Sequence, residues 1–248
     1  MTFNTIDTLS IHLNVDGFSF YFFEKDQPLI TKKNFFVETQ PIQNYIDVLI
    51  KSVKEEKTEH FSKIRLLFSN KLFTLIPNEI YNENRISDYI EFNSFLLPND
   101  PIESKLIQEL DIQFLYSYLE PVEIEIKRLF LEKEIEVLHS GISLIQQLNA
   151  FSSEIAFFAW FNFSSIELLY FKNQKLIFYN YFDTYSKEDI IYYILFTAQQ
   201  LNMDVNKERL HLLGNIENHS ETIVMMKKYI RHVKIGIDEN ITFKDFVL

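Results

Sequence analysis

The feature that most constrains this 248-residue chain is a pattern that occurs twice. LSIHLNV (9–15), FSFYFFE (18–24) and LITKKNFF (29–36) are aromatic and β-branched runs separated by turn residues, and they read as three consecutive strands. The first two are joined at Asp16-Gly17, a hairpin signal because both residues tolerate positive φ. Thr39 and Pro41 mark a helix start, and IQNYIDVLIKSVKEE (42–56) brings Ile42, Tyr45, Ile46 and Leu49 to one face. KIRLLF (63–68) follows as a buried strand. The same order returns in EIAFFAWF (154–161), SIELLYF (165–171) and KLIFYNYF (175–182). The helix DIIYYILFTAQQL (189–201), opened by a capping-box-like Ser186–Asp189, and the strand RLHLLG (209–214) complete it. The segments KDQPLI (25–30) and KNQKLI (172–177), and Ile64 against Leu210, set the copies about 147 residues apart. That spacing points to an internal duplication. A chance meander followed by a helix gives the same outline.

Between the copies, Asp100-Pro101 reads as the start of a helix, IESKLIQEL (102–110), before a strand IQFLYSY (112–118). PVEIEIKRLFLE (121–132) reads as helix, IEVLHS (135–140) as strand and ISLIQQLNAF (142–151) as helix, with Ser140 as its N-cap. A boundary near Phe151-Ser152-Ser153 gives two domains, 1–151 with inserted elements and 152–248.

Composition removes several chemistries. There is no cysteine, hence no disulfide, thiolate catalysis or zinc–thiolate site. The excess of 35 acidic over 24 basic side chains, a formal charge of −11, argues against a general nucleic-acid binder. Four glycines leave little for phosphate-cradling loops, which use several each. No apolar run approaches the ~20 residues that span a bilayer, and MTFNTIDTLS has no signal-peptide character, so a cytoplasmic protein without membrane insertion is expected.

Two copies of a three-strand meander, a crossover helix and a further strand resemble the actin-like ATPase fold, which pairs two ribonuclease-H-like halves. The segments LSIHLNVDGFSF, LLFSNKLFTLIPNEIY, VLHSGISLIQQL, LIFYNYFDTYSKEDIIYYILFTAQQL, LHLLGNI and MMKKYI resemble a bacterial family of unknown function, found largely in Bacteroidetes, with a degenerate version of that fold. The resemblance implies an α/β protein of two ribonuclease-H-like halves in an actin-like arrangement. Each half is a mixed sheet, a three-strand meander plus parallel strands, flanked by helices.

An active member of that fold class holds phosphate and metal with an Asp-x-Gly turn in each half and accommodates adenosine on a Gly-Gly turn. Glycine is needed there because backbone N–H groups must approach phosphate closely. On this resemblance the remnant nucleotide site comprises Asp16, Gly17, Asn162 and Gly214. Asp16-Gly17 lacks the spacing residue, WFNFSS (160–165) offers Asn162 and Phe163, and LLGNIEN (212–218) has Asn215 where a second glycine is wanted. Asp16 as a metal-side carboxylate competes with Asp16 as a turn residue, and Gly214 as a cleft residue competes with an ordinary strand–helix turn.

Other signals have plain structural readings. His139 and Ser140 are sequence neighbours without a third orienting group, so they are not a nucleophile dyad. His12, His60, His211, His219 and His232 show no metal-ligand spacing. A nuclease would need clustered carboxylates, but Ser69-Asn70 supplies none beside Asp16. Lys227, Lys228, Arg231 and Lys234 form either a patch for an acidic partner or phosphate, or a solvated helix face. FFAWFNF (157–163) reads as a buried strand, or as a partner-binding surface if exposed. The expectation is a catalytically inactive actin-like protein that engages an unknown protein partner, with no cofactor, metal or nucleic acid. The competing expectation is a nucleotide-binding switch or phosphotransferase that uses ATP and Mg²⁺ at an unconventional phosphate site.

Overall fold

The computed structural model describes residues 8–24, 27–37, 41–56, 61–151 and 155–237. The chain divides into two compact units between Ser143 and Leu144. The boundary expected at Phe151–Ser153 falls on a stretch whose residues 152–154 lie outside those described, as do His60, Thr39 and residues 25–26 of the first KDQP turn.

In the first unit, β1 (Thr8–Asn14), β2 (Gly17–Glu24) and β3 (Gln27–Phe36) form an antiparallel meander, followed by α1 (Ile42–Glu55) and β4 (Lys63–Phe68). A short insertion contains β5 (Phe73–Pro77), α2 (Ile86–Glu91), β6 (Ile102–Ile107) and β7 (Ile112–Ser117). The chain then forms α3 (Glu120–Leu129), β8 (Glu134–His139) and α4 (Ser140–Asn149). The main sheet has the order β3-β2-β1-β4-β8, with β1, β4 and β8 parallel. A small antiparallel sheet has the order β5-β7-β6.

Every residue of β1 is buried, because it is the central strand. Leu9, Ile11 and Leu13 stand in register with Phe22, Phe20 and Phe18. Phe18 meets Tyr45 of α1 edge-on at 5.9 Å, so this face carries the helix. Burial of each such ring contributes about 1.5–3 kcal/mol. On α1 the buried residues are Ile46, Leu49, Ser52 and Val53, whereas Ile42 is 47% exposed and is not part of the apolar face. α3 is favoured by Glu120 and Glu123 in its first turn and Lys127 and Arg128 in its last, which complement its dipole.

The segment 102–110, expected to be helical, is instead strand β6 and the 3-10 turn Gln108–Leu110. Its residues alternate between half-buried and exposed with period two and pair one for one with β7, while Asp111 at φ 54° turns the chain back. The apolar count is similar on either reading, and the partner strand decides.

In the second unit, β9 (Ile155–Phe161), β10 (Ser165–Lys172) and β11 (Lys175–Asp183) form a meander, followed by α5 (Lys187–Gln200) and β12 (Arg209–Gly214). α6 (Ser220–Met226) and β13 (His232–Ile235) complete it. The sheet order is β11-β10-β9-β12-β13 with β9, β12 and β13 parallel, the order of the first unit strand for strand. Ser186 caps α5 through the full capping box with Asp189. Phe157, Ala159, Phe161, Leu168, Ile194 and Leu212 lie in one core cluster. Of the aromatic stretch 157–163, Phe157 to Asn162 are buried and Phe163 is half-buried. The basic stretch 225–234 is not one helix, since α6 ends at Met226 and its cations spread over a turn and β13. No helix among the described residues is long and apolar enough to cross a membrane.

His139 ties the two sheets of the first unit together. It is fully buried at the end of β8, within 5.1 to 6.0 Å of the rings of Phe73, Phe114 and Tyr116 in the small sheet. Its Nδ1 accepts from the Gly141 N–H (3.0 Å) at the start of α4, so Nε2 carries the proton and donates to the Asn70 carbonyl (3.0 Å). Asn70 in turn donates from Nδ2 to the Ser117 carbonyl. Burial pushes the imidazole from 6.5 down to about 4, against the opposing effect of the Asn70 bond. Below about pH 6.5 the unfolded chain takes up a proton that the fold resists until about pH 4. This contribution, about 3 kcal/mol, is therefore complete above pH 6.5 and is lost as pH falls through that window. Urea unfolding between pH 7 and pH 4 is expected to show a steeper loss of stability for the wild type than for His139→Gln.

Candidate functional site

The residues singled out in the sequence stand at the carboxyl ends of the parallel strands, where open α/β sheets place ligands. Asp16 and Gly17 belong to the first unit, Asn162 and Gly214 to the second.

At the first turn, Asn14 pairs with Gly17, so the two turn residues are Val15 and Asp16, and Gly17 is the first residue of β2. Neither Asp16 nor Gly17 has positive φ. The left-handed hairpin expected there is found instead in the second unit, where Asn173 (φ 52°) and Gln174 (φ 60°) connect the paired Lys172 and Lys175 without a glycine. Gly17 is needed for a different reason. It pairs with both Asn14 and Phe36, and a Cβ on it would stand 2.3 Å from the Phe35 carbonyl oxygen. Its own carbonyl accepts from the Tyr45 hydroxyl (3.0 Å), and the Asp16 carbonyl from the Val37 N–H (3.2 Å). Burial, with help from the nearby Asp16 charge, pushes the Tyr45 phenol well above its ordinary value, so it remains a donor. Next to the turn, the buried Asn14 Oδ1 has no hydrogen-bond partner among the described residues.

At the second turn, Asn162 is buried and its backbone N–H closes the loop on the Ser165 carbonyl (2.9 Å). Its amide is committed on both sides. Oδ1 accepts from Trp160 Nε1 (3.1 Å), and Nδ2 donates to Ser165 Oγ (3.1 Å) and Glu167 Oε1 (3.0 Å). Glu167 Oε2 accepts from the Tyr179 hydroxyl at 2.6 Å. Strand register brings these groups together, because Glu167 stands opposite Trp160 and Asn162 lies two residues further along the same face. Glu167 is wholly buried, and burial of the Tyr179 phenol, together with the Glu167 carboxylate, holds that phenol protonated far above its ordinary range. Sequence reasoning missed Glu167 and Tyr179. The signal was a lone acid inside the apolar strand SIELLYF.

Gly214 lies opposite Phe161, the residue before Asn162, so the structure brings these two candidates to one sheet end. Gly214 has φ +85°, and a Cβ would meet the Phe161 oxygen at 2.3 Å and nitrogen at 2.7 Å. The following Asn215 N–H donates to that same oxygen at 2.7 Å. The glycine thus serves a close backbone crossing between β9 and β12 as well as a turn.

Three further histidines have structural settings. His211 on β12 bonds the Gly236 carbonyl through Nδ1 (3.0 Å), His219 packs on Phe161 at 5.0 Å, and His12 is buried within β1. Among the described residues no group of three acidic or histidine side chains is placed to hold a metal.

Two like-ordered mixed sheets flanked by helices define the class: an actin-like ATPase fold. The chain matches a Bacteroides thetaiotaomicron protein with actin-like ATPase fold and unknown function at TM-score 0.80, with 21% identity over 94% of this chain and 91% of that one. A chain of the PilM–PilN type IV pilus biogenesis complex matches at TM-score 0.59, with 12% identity over 96% and 90%. The ethanolamine utilization protein EutJ from Carboxydothermus hydrogenoformans matches at 0.50, with 7% identity over 92% and 84%. At these identities the likeness concerns the fold alone. No curated protein matches in sequence. The chain belongs to the family "Protein of unknown function (DUF3822)", which matches residues 3–233.

The second turn yields a sharp expectation. Asn162→Asp replaces the donor facing Glu167 by a second carboxylate oxygen, and should cost about 3 kcal/mol in chemical denaturation. Adding Glu167→Gln restores a donor–acceptor pair with the Tyr179 bond intact, so the double variant should regain most of that loss.

Proposed function

We propose that this chain is a non-catalytic member of the actin-like class that works through protein–protein contacts. The observation that carries the reading is the commitment of Asn162. At the turn where an actin-like ATPase needs a free metal-side group, both ends of this amide are hydrogen bonded to Trp160, Ser165 and Glu167. The glycines point the same way. The space a Cβ would take at Gly17 and Gly214 is filled by the Phe35 and Phe161 backbones, not left open to a phosphate. These residues do not fit an ATP–Mg²⁺ site of the usual kind. The likeness to a chain of the PilM–PilN complex supports the reading only in that the same fold occurs there within a protein assembly. The matching strand order of the two sheets supports descent by internal duplication.

One observation favours the second reading, a nucleotide-binding switch. Asn14 Oδ1, unpartnered among the described residues, is a buried acceptor beside Asp16, where a bound ligand would supply a donor.

Thermal unfolding and calorimetry with ATP and Mg²⁺ separate the two. The non-catalytic reading expects no midpoint shift at millimolar nucleotide and no phosphate release. Binding at a hundredfold excess over Kd would add about 2.7 kcal/mol, and its loss in Asp16→Ala would establish the switch instead.

A further inference from the structure

Each sheet ends in edge strands whose outward backbone groups invite another strand, and proteins usually blunt such edges. Most edges with described side chains are blunted here. β11 is broken by a register shift at Ile177, opposite Tyr170 and Phe171, and the Asn180 side chain takes up the Tyr181 N–H at 2.9 Å. On β8 the Val137 carbonyl already accepts from the Tyr116 hydroxyl. β13 has four residues, and β5 has five and closes on Pro77, which has no N–H.

β6 is different. It pairs with β7 on one side over Ile102–Ile107 without any register shift, and among the described residues no strand pairs with its other side. Its Glu103 and Lys105 are exposed and have no ion-pair partner among the described residues, while Ile102, Ser104 and Leu106 are half-buried on the opposite face.

The sequence of this edge is complementary to itself. In an antiparallel pair related by a two-fold axis, residues directly opposite point to the same face, so the axis must pass through a residue. An axis at Ser104 sets Glu103 opposite Lys105 of the second copy, and Lys105 opposite its Glu103. The same axis sets Ile102 opposite Leu106 twice on the other face. An axis at Glu103 or Lys105 would set like charges face to face. We propose that β6 is a self-association edge, through which two copies of this chain join their small sheets into one continuous six-stranded antiparallel sheet centred on Ser104.

The inference goes beyond the reading above and does not depend on it, since β6 contains none of the candidate nucleotide residues. A six-residue edge is smaller than a standard stable interface of about 1,600 Å², so the dimer forms and dissociates with protein concentration.

Sedimentation velocity on the full chain, from low micromolar to near-millimolar concentration, tests it. The wild type is expected to shift from monomer to dimer. Glu103→Lys or Lys105→Glu alone replaces two attractive cross-strand pairs by two repulsive ones and should weaken the dimer about tenfold. The double charge swap restores both pairs and should return the affinity to the wild-type value. Both side chains are exposed, so folding is preserved, as circular dichroism will check. A chain monomeric throughout, a dimer indifferent to the single reversals, or a double variant as weak as the singles would overturn the proposal.

Discussion

Strands β1 and β9 each lie in the middle of a five-stranded sheet with buried side chains on both faces, and that double burial governs the rest of the structure. An apolar side chain gains from this directly, whereas a polar one must bring its own partner. On β1 the face of Leu9, Ile11 and Leu13 meets the phenylalanines of β2 and the helix α1. The other face holds Ser10, His12 and Asn14. In the second unit, Asn162 just beyond β9 and Glu167 on β10 are buried with Trp160 and Tyr179 and satisfy one another. A buried carboxylate is tolerable because Asn162 and Tyr179 each donate to it.

The same constraint governs the strand ends that carry Gly17 and Gly214. Here Gly17 and Gly214 are held where two neighbouring backbones cross too closely for a side chain, and the adjacent N–H groups of Val37 and Asn215 bond to backbone carbonyls. The geometry at both glycines serves the sheet. His139 illustrates the same economy in the first unit: one neutral imidazole caps α4 and bonds the loop that links its two sheets.

Much of the fold was legible. The meanders, α1, α5, β4 and β12 followed from period-two runs, capping residues and turn chemistry, since these signals are local. β6 was misread because IESKLI has an apolar spacing that suits a short helix as well as an edge strand, and only pairing with β7 separates them. β5 and α2 carry no comparable signal, being short and lacking a counterpart in the second unit. At the two strand-end turns, residue type alone singles out Asp16 and Gly17 in the first unit and Asn162 and Gly214 in the second. It missed Glu167 and Tyr179, whose importance comes from facing Asn162 across the sheet.

The sequence by itself determined the order of each meander, its crossover helix and the strand that follows, the likeness of the two halves and the exclusion of cysteine chemistry. These are properties of local pattern and composition. Only the tertiary structure decided that Val15-Asp16 and not Asp16-Gly17 makes the first turn, that Gly17 is required by a crossing carbonyl, and that the Asn162 amide is fully engaged. Those outcomes depend on which strand lies beside which and in what register, and no stretch of sequence contains that information alone.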